Sequence, residues 1–326
     1  VFHTSNPTIP QNVAAKNAAN PTAKLISKLV NKLRSPSGTP NRYPPPSVRG
    51  EEDSPFCDAC AIPVEYCFMA EGVQSELIQA GQVIREAAVR EGPNGVKYAT
   101  FGENSLSDQD LERMVQAVPI AIAGGLTRKT YYFVPLALSD SRSAESTLVA
   151  PAYTPELGDQ AICHRNVTLQ GTEAVFISTR LLGDRFALAF EFFINVGHAF
   201  VDAIGVPEDF DKLAWAQAIA DVRGETSQDA WESRALALAN RKESGAANGR
   251  STTDEKAKSS FLEAAFSDAL AIYQLSLAVD FDYSELRERE YPLLAPHSLA
   301  ERLRLVARLF PPNPAYEFAI RYRRRA

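Results

Sequence analysis

Between residues 186 and 206, apolar side chains cover almost every direction of a helix except one. Glu191, Asn195, His198 and Asp202 fall at i, i+4, i+7 and i+11, so the four polar groups share a single face. Asp184 stands where an N-cap belongs, and Gly205 with Pro207 closes the run, so the pattern predicts a helix over 185–204. The chain beyond it reads the same way. Helical periodicity predicts further helices at about 209–222, 228–242, 253–279, 283–290, 298–310 and 315–323, with a Gly-, Ala-, Asn- and Ser-rich loop over 244–251.

Strand character is confined to the middle. β-Branched and aromatic runs over 131–134, 147–149, 161–169 and 174–182 lie between Gly, Pro and Ser punctuation, and they predict a small sheet of three or four strands. Upstream, one helix is expected over 72–90, ended by Gly92-Pro93. Another is opened by Ser107 with Asp110 and closed by Pro119. The expected fold class is α+β and predominantly α-helical, with a small antiparallel central sheet followed by a C-terminal helical bundle. Three regions follow: an arm over 1–56, a mixed region over 57–183 and a helical region over 184–326.

The arm differs from the rest in kind. Eight of the 21 prolines precede residue 47, including Pro44-Pro45-Pro46, a composition that favours extended chain over packed structure. Within it, residues 23–34 place Leu25, Ile26, Leu29, Val30 and Leu33 on one helical stripe, with Lys24, Lys28, Lys32 and Arg34 around the remainder. A helix this short is marginal alone in water, so its stripe needs a surface to lie on.

Charge sharpens the contrast. Residues 1–50 hold seven basic side chains and no acid, and Arg321, Arg323, Arg324 and Arg325 add four at the other end. Setting those eleven aside leaves 23 of 34 basic side chains against all 40 acidic ones, so the body carries about −17 within a chain of net −6. Two basic ends flank an acidic middle. The Arg323-Arg324-Arg325 run beside Tyr322 suits phosphate binding with base stacking, and equally suits a solvated helix end where cations oppose the dipole.

Two constellations carry candidate chemistry. Glu191, His198 and Asp202 on one face suit metal ligation or acid–base catalysis. The same spacing suits the solvent side of an amphipathic helix or a hydrogen-bonded seam. Cys57 and Cys60 have C-x-x-C spacing, and with Cys67 and Cys163 they make a candidate zinc set; a redox pair or plain thiols are the other readings. Several familiar sites are excluded by their missing residues. Ile194 and Asn195 occupy the places of the first His and the Glu of a zinc-peptidase H-E-x-x-H, Gly124-Gly125 lacks the phosphate-loop spacing and ending, and no G-x-S-x-G occurs.

The four ionisable or polar groups within 186–206 speak against a lipid-facing span, so no transmembrane segment is expected. The expectation is an intracellular, soluble protein, although the acid-poor amphipathic arm also has the character of a transit-type leader. The leading functional expectation is a non-enzymatic assembly subunit, coat-like or accessory to a large complex. Its arm docks onto a neighbouring copy or a protein partner through Lys24, Leu25, Lys28, Leu29, Lys32, Leu33 and Arg34, with nucleic acid a further partner for the basic termini. The alternative is a metal-dependent hydrolase built on Glu191, His198 and Asp202.

Overall fold

The aromatic run at 131–134 forms the centre of a five-stranded sheet in the computed structural model of the protein, which describes residues 77–104, 106–139, 147–169, 171–243, 253–286 and 291–321. Strand β4 (Lys129–Val134) lies between β3 (Lys97–Thr100) and β9 (Thr172–Ser178), parallel to both. β2 (Arg90–Glu91) and β8 (His164–Leu169) close the two edges antiparallel, giving the order β2-β3-β4-β9-β8. Its neighbours explain the direction. Tyr131 and Phe133 turn to one core cluster, Tyr132 and Val134 to another, so β4 is apolar on both faces, as a parallel strand covered on both sides must be.

A second sheet is antiparallel throughout, in the order β1-β6-β5-β7: β1 (Ile78–Gln79), β6 (Thr147–Ala150), β5 (Leu136–Ser139) and β7 (Ala161–Ile162). The two sheets share continuous chain. β4 passes into β5 at Pro135, which has no N–H to offer a ladder, and β7 passes into β8 at Cys163. Ser178 stitches this corner. Its hydroxyl accepts from the Ala137 amide at 2.7 Å and donates to the Ile162 carbonyl at 2.5 Å.

On one face of the five-stranded sheet, α1 (Ala80–Glu86) buries Ala80 and Val83. The other face is covered by α5 (Arg185–Ile204), with α2 (Asp108–Gln116) and α3 (Ile120–Ala123) contributing to the same core; the short α4 (Pro155–Gly158) packs on β5. Asp184 caps α5 by accepting from the Ala187 amide at 2.6 Å. Phe192 meets Tyr131 edge-on at 5.0 Å between ring centroids and Phe133 at 5.6 Å. Behind α5 runs α8 (Glu255–Ala278), and against α8 pack α6 (Glu208–Ile219), α7 (Gln228–Glu243) and α9 (Pro296–Leu309). One core cluster takes in Phe133 of β4, Phe192 of α5, Phe266 of α8 and Leu303 of α9, so the change of element type at residue 184 is no break in the core.

Helix α5 is long and apolar enough to cross a membrane by length and composition, but two thirds of the qualifying window (67%) is buried against protein. It is sheathed by the sheet and α8. The contact with α8 depends on Gly197: a Cβ there would come within 2.6 Å of the Ser267 carbonyl oxygen.

The α+β class follows the sequence, while several elements differ from it. The expected antiparallel sheet of three or four strands is two sheets, and the larger has a parallel centre, because β4 is covered on both faces. The helix expected over 72–90 is α1 alone within the described residues, since Ile78 and Gln79 pair with Val149 and Leu148 and Arg90 pairs with Tyr98. Over 283–290, the described part is a 3-10 turn, Tyr283–Leu286.

The helix expected over 315–323 does not form in its described part, 315–321. Instead the chain runs back over the end of α2. Asn313 donates to the carbonyls of Gln116 and Val118, both at 2.8 Å, and Tyr316 donates to that of Arg113 at 2.6 Å. Tertiary hydrogen bonds outweigh local propensity there. The arm, the Gly-rich loop at 244–251, Cys57, Cys60, Cys67, and Arg323, Arg324 and Arg325 lie outside the described residues.

Replacing Gly197 with Ala drives a Cβ into the Ser267 carbonyl and forces α5 and α8 apart there. A loss of about 1–3 kcal/mol is expected from such overpacking, measured as a lower urea midpoint with unchanged slope.

Candidate functional site

The polar face of α5 divides in two. Its first half, Glu191 and Asn195, is buried under the sheet edge, at 0% and 5% exposure. His164, the first residue of β8, pairs its Nδ1 with Glu191 Oε1. One turn along α5, the Asn195 amide donates to the same Oε1 at 3.1 Å and to the Glu191 carbonyl at 2.8 Å. Glu191 Oε2 is buried with no hydrogen-bond partner among the described residues. Cys163 lies beside this pair. Burial first, and then the Glu191 carboxylate, push its thiol up to about 12, so at neutral pH it is a protonated core thiol, neither nucleophile nor thiolate ligand.

The second half of the face opens outward. His198 and Asp202 join a groove of about 360 Å³ between α5, α7 and α8. Asp229 and Glu232 of α7 and Glu263 of α8 bring its carboxylates to four, and among the described residues no lysine or arginine lines it. Between the acids lie apolar patches, Val201, Leu236 and Ala264, of which Leu236 is 63% exposed. Each helix contributes at i, i+3 and i+4 steps: 198, 201 and 202 from α5; 229, 232, 233 and 236 from α7; 260, 263, 264 and 267 from α8.

The groove's deep end is polar and underused. Ser267 is 1% exposed, and its hydroxyl has no hydrogen-bond partner among the described residues. Burial lowers the pKa of His198 below the ordinary imidazole value, with His164 adding to that, against the carboxylates of Asp202, Asp229 and Glu191, which raise it. A neutral imidazole offers one acceptor nitrogen. Next to Ser267, the buried Asp268 accepts from Thr226 Oγ1 at 2.8 Å. Burial carries its pKa up to about 7, with the Ser227 and Thr226 hydrogen bonds opposing and the Asp229 and Glu225 charges assisting.

The acidic wall supplied by α7 is held by a buried clasp. Arg302 of α9, at 0% exposure, donates from Nη1 to Glu225 Oε2 at 2.9 Å and from Nε to Gln217 Oε1 at 2.8 Å. Arg234 of α7 donates to Glu225 Oε1 at 3.1 Å and to the carbonyls of Val222 and Gly224 at 2.7 and 3.1 Å. Glu225 is thus shared by two guanidiniums, which makes the burial of its charge tolerable. Gly224 is required beside it: its φ is +83°, and a Cβ would fall 2.2 Å from the Leu293 carbonyl oxygen.

No family model and no curated protein matches the chain. What the site can do therefore rests on its geometry. Among the described residues, no group of three His, Cys, Asp or Glu side chains comes together to hold a metal ion. Glu191 is turned to His164, whereas His198 and Asp202 face the groove, so these three do not converge. Ser267 and His198 line one groove, yet the Ser267 hydroxyl makes no hydrogen bond that would prime it as a nucleophile. The groove instead gathers carboxylates, a hydroxyl without a partner among the described residues, a neutral imidazole and an exposed leucine.

Of the residues singled out from sequence, His198 and Asp202 are in the groove, Glu191 is in the core beside His164, and Cys163 is buried apart from the groove. Asp229, Glu232, Glu263 and Ser267 escaped the sequence reading, because each looks like a routine polar position on its own helix. The one signal was Ser267-Asp268 interrupting the apolar run of α8.

Asp268 sets a pH dependence of stability. The folded state holds its proton up to about pH 7, while an unfolded aspartate loses it near ~4, so the folded protein binds more protons between those limits. Stability must therefore fall as pH rises through that window. Asp268→Asn keeps an acceptor for Thr226 and removes the titration; chemical unfolding between pH 4.5 and 8 is expected to show a flatter profile than the wild type, with the variant gaining at the alkaline end.

Proposed function

We propose that this chain is a non-enzymatic assembly subunit whose basic N-terminal arm docks onto a neighbouring copy. The observation that carries the reading is the groove between α5, α7 and α8, with four carboxylates and no basic lining residue among the described residues, in a chain whose first fifty residues hold seven basic side chains and no acid. Complementary charge steers such encounters and fixes their register. Apolar lining between the acids supplies burial that charge alone does not.

The hydrolase alternative draws less support. It needs Glu191, His198 and Asp202 on one centre, and Glu191 is committed to His164 and Asn195. A zinc held by Cys57, Cys60, Cys67 and Cys163 would have to reach a thiol buried beside Glu191, whose high pKa opposes the thiolate that zinc requires. Nucleic acid remains a partner for the basic termini only, since an acidic groove repels phosphate.

The test is self-association of the full chain. Sedimentation at moderate salt is expected to show an oligomer that weakens as salt is raised, because ion pairs at an exposed rim are screened. Removing residues 1–50 is expected to leave a folded monomer by circular dichroism. A full-length chain that is monomeric at tens of micromolar overturns the reading.

A further inference from the structure

We propose that the groove between α5, α7 and α8 is the receptor for one particular part of the arm, the amphipathic segment 23–34 of a neighbouring copy. The inference rests on the assembly reading and names the two surfaces that meet. Segment 23–34, as a helix, is about 18 Å long at ~1.5 Å per residue. Lys24, Lys28 and Lys32 recur every fourth residue, so they form one line along it, and Leu25, Leu29 and Leu33 form the adjacent line. The groove offers both kinds of surface, one of each from every wall: carboxylates at Asp202, Glu232 and Glu263 and apolar side chains at Val201, Leu236 and Ala264.

The deep end of the groove points independently to an ammonium ligand. Ser267 keeps a buried hydroxyl without a partner among the described residues, and the His198 imidazole beside it is held neutral by burial. Both accept a hydrogen bond from a lysine ammonium, which carries three donors and no acceptor. An anion would meet carboxylates there. An uncharged apolar helix would leave the Ser267 hydroxyl unsatisfied and would bury the acids without compensation. Leu236, 63% exposed one turn along α7 from Glu232 and Ser233, is the apolar anchor such a helix would cover.

A neighbouring copy is the donor because of what joins the segment to the body. Residues 35–76 separate it from the first described residue, Leu77, and they include Pro36, Pro40 and Pro44-Pro45-Pro46. At up to about 3.1 Å per residue, a linker of that length can reach a groove on a second copy.

Charge reversal in the full-length protein tests the pairing. Glu232→Lys with Glu263→Lys reverses the groove at two exposed positions, and Lys28→Glu with Lys32→Glu reverses the arm. Each protein alone is expected to lose self-association by at least tenfold in Kd by sedimentation, with an unchanged thermal midpoint. Mixed one to one, they are expected to associate again, since each arm then meets a groove of opposite sign, and that rescue can occur only between copies. Loss of assembly in the arm-reversed protein with none in the groove-reversed one places the arm elsewhere and overturns this inference, while the assembly reading stands. Loss in both without rescue on mixing also overturns it. If neither reversal changes assembly, this inference fails, and the removal of residues 1–50 then decides the assembly reading separately.

Discussion

Helix α5 can lie between a sheet and another helix only because Gly197 lets its backbone rest against the Ser267 carbonyl of α8. A Cβ at that position would come within 2.6 Å of the carbonyl oxygen, so the contact fixes how closely the two helices pack there. Toward the sheet, α5 spends its aromatic side chains, with Phe192 wedged between Tyr131 and Phe133. Toward α8 it has no room for side chains at 197 at all. The groove begins beside that contact, at His198 and Ser267, with α7, packed on α8, as its third wall.

Holding α7 in that position is a matter of buried charge. Glu225 is wholly enclosed and is tolerated because Arg302 and Arg234 both reach it, while Gln217 and backbone carbonyls take up much of the guanidiniums' remaining hydrogen-bonding capacity. A pair of this kind adds little net stability over an apolar replacement, but loss of one member would leave another charge stranded. Its consequence here is geometric. The clasp ties the start of α7 to α9 and to the end of α6, so Asp229 and Glu232 face α5 in a fixed register and the negative potential of the groove is built into the frame.

The same frame separates two uses of one helix face. Near the sheet, Glu191 Oε1 is held by His164 and Asn195, and that half of the face is a core seam. Beyond the Gly197 contact, His198 and Asp202 are released into a solvent-facing trough. Acidic side chains gathered there repel one another, a cost that a cationic occupant would relieve; under the proposed assembly the basic arm is that occupant. The Ser267 hydroxyl, without a partner among the described residues, lines the same groove.

Local pattern was enough to define much of this. The cap at Asp184 and the stop at Gly205 bounded α5 to the residue, the β-branched and aromatic runs marked β4, β6, β9 and the stretch of β7 and β8 but missed β1, β2, β3 and β5, and the charge layout separated an acid-free arm from an acidic body. Pattern was insufficient wherever a segment's partner lay far away in sequence. The parallel neighbours of β4, the corner at Pro135 and the extended tail at 315–321 follow from pairings with distant chain. Helical spacing showed that Glu191, Asn195, His198 and Asp202 share a face, and nothing in spacing says what covers it. A period of 3.6 residues records direction around one axis, whereas burial and charge environment depend on which other elements arrive there. Those were decided by packing: β8 over Glu191, α7 and α8 around His198, and a glycine where two helices touch.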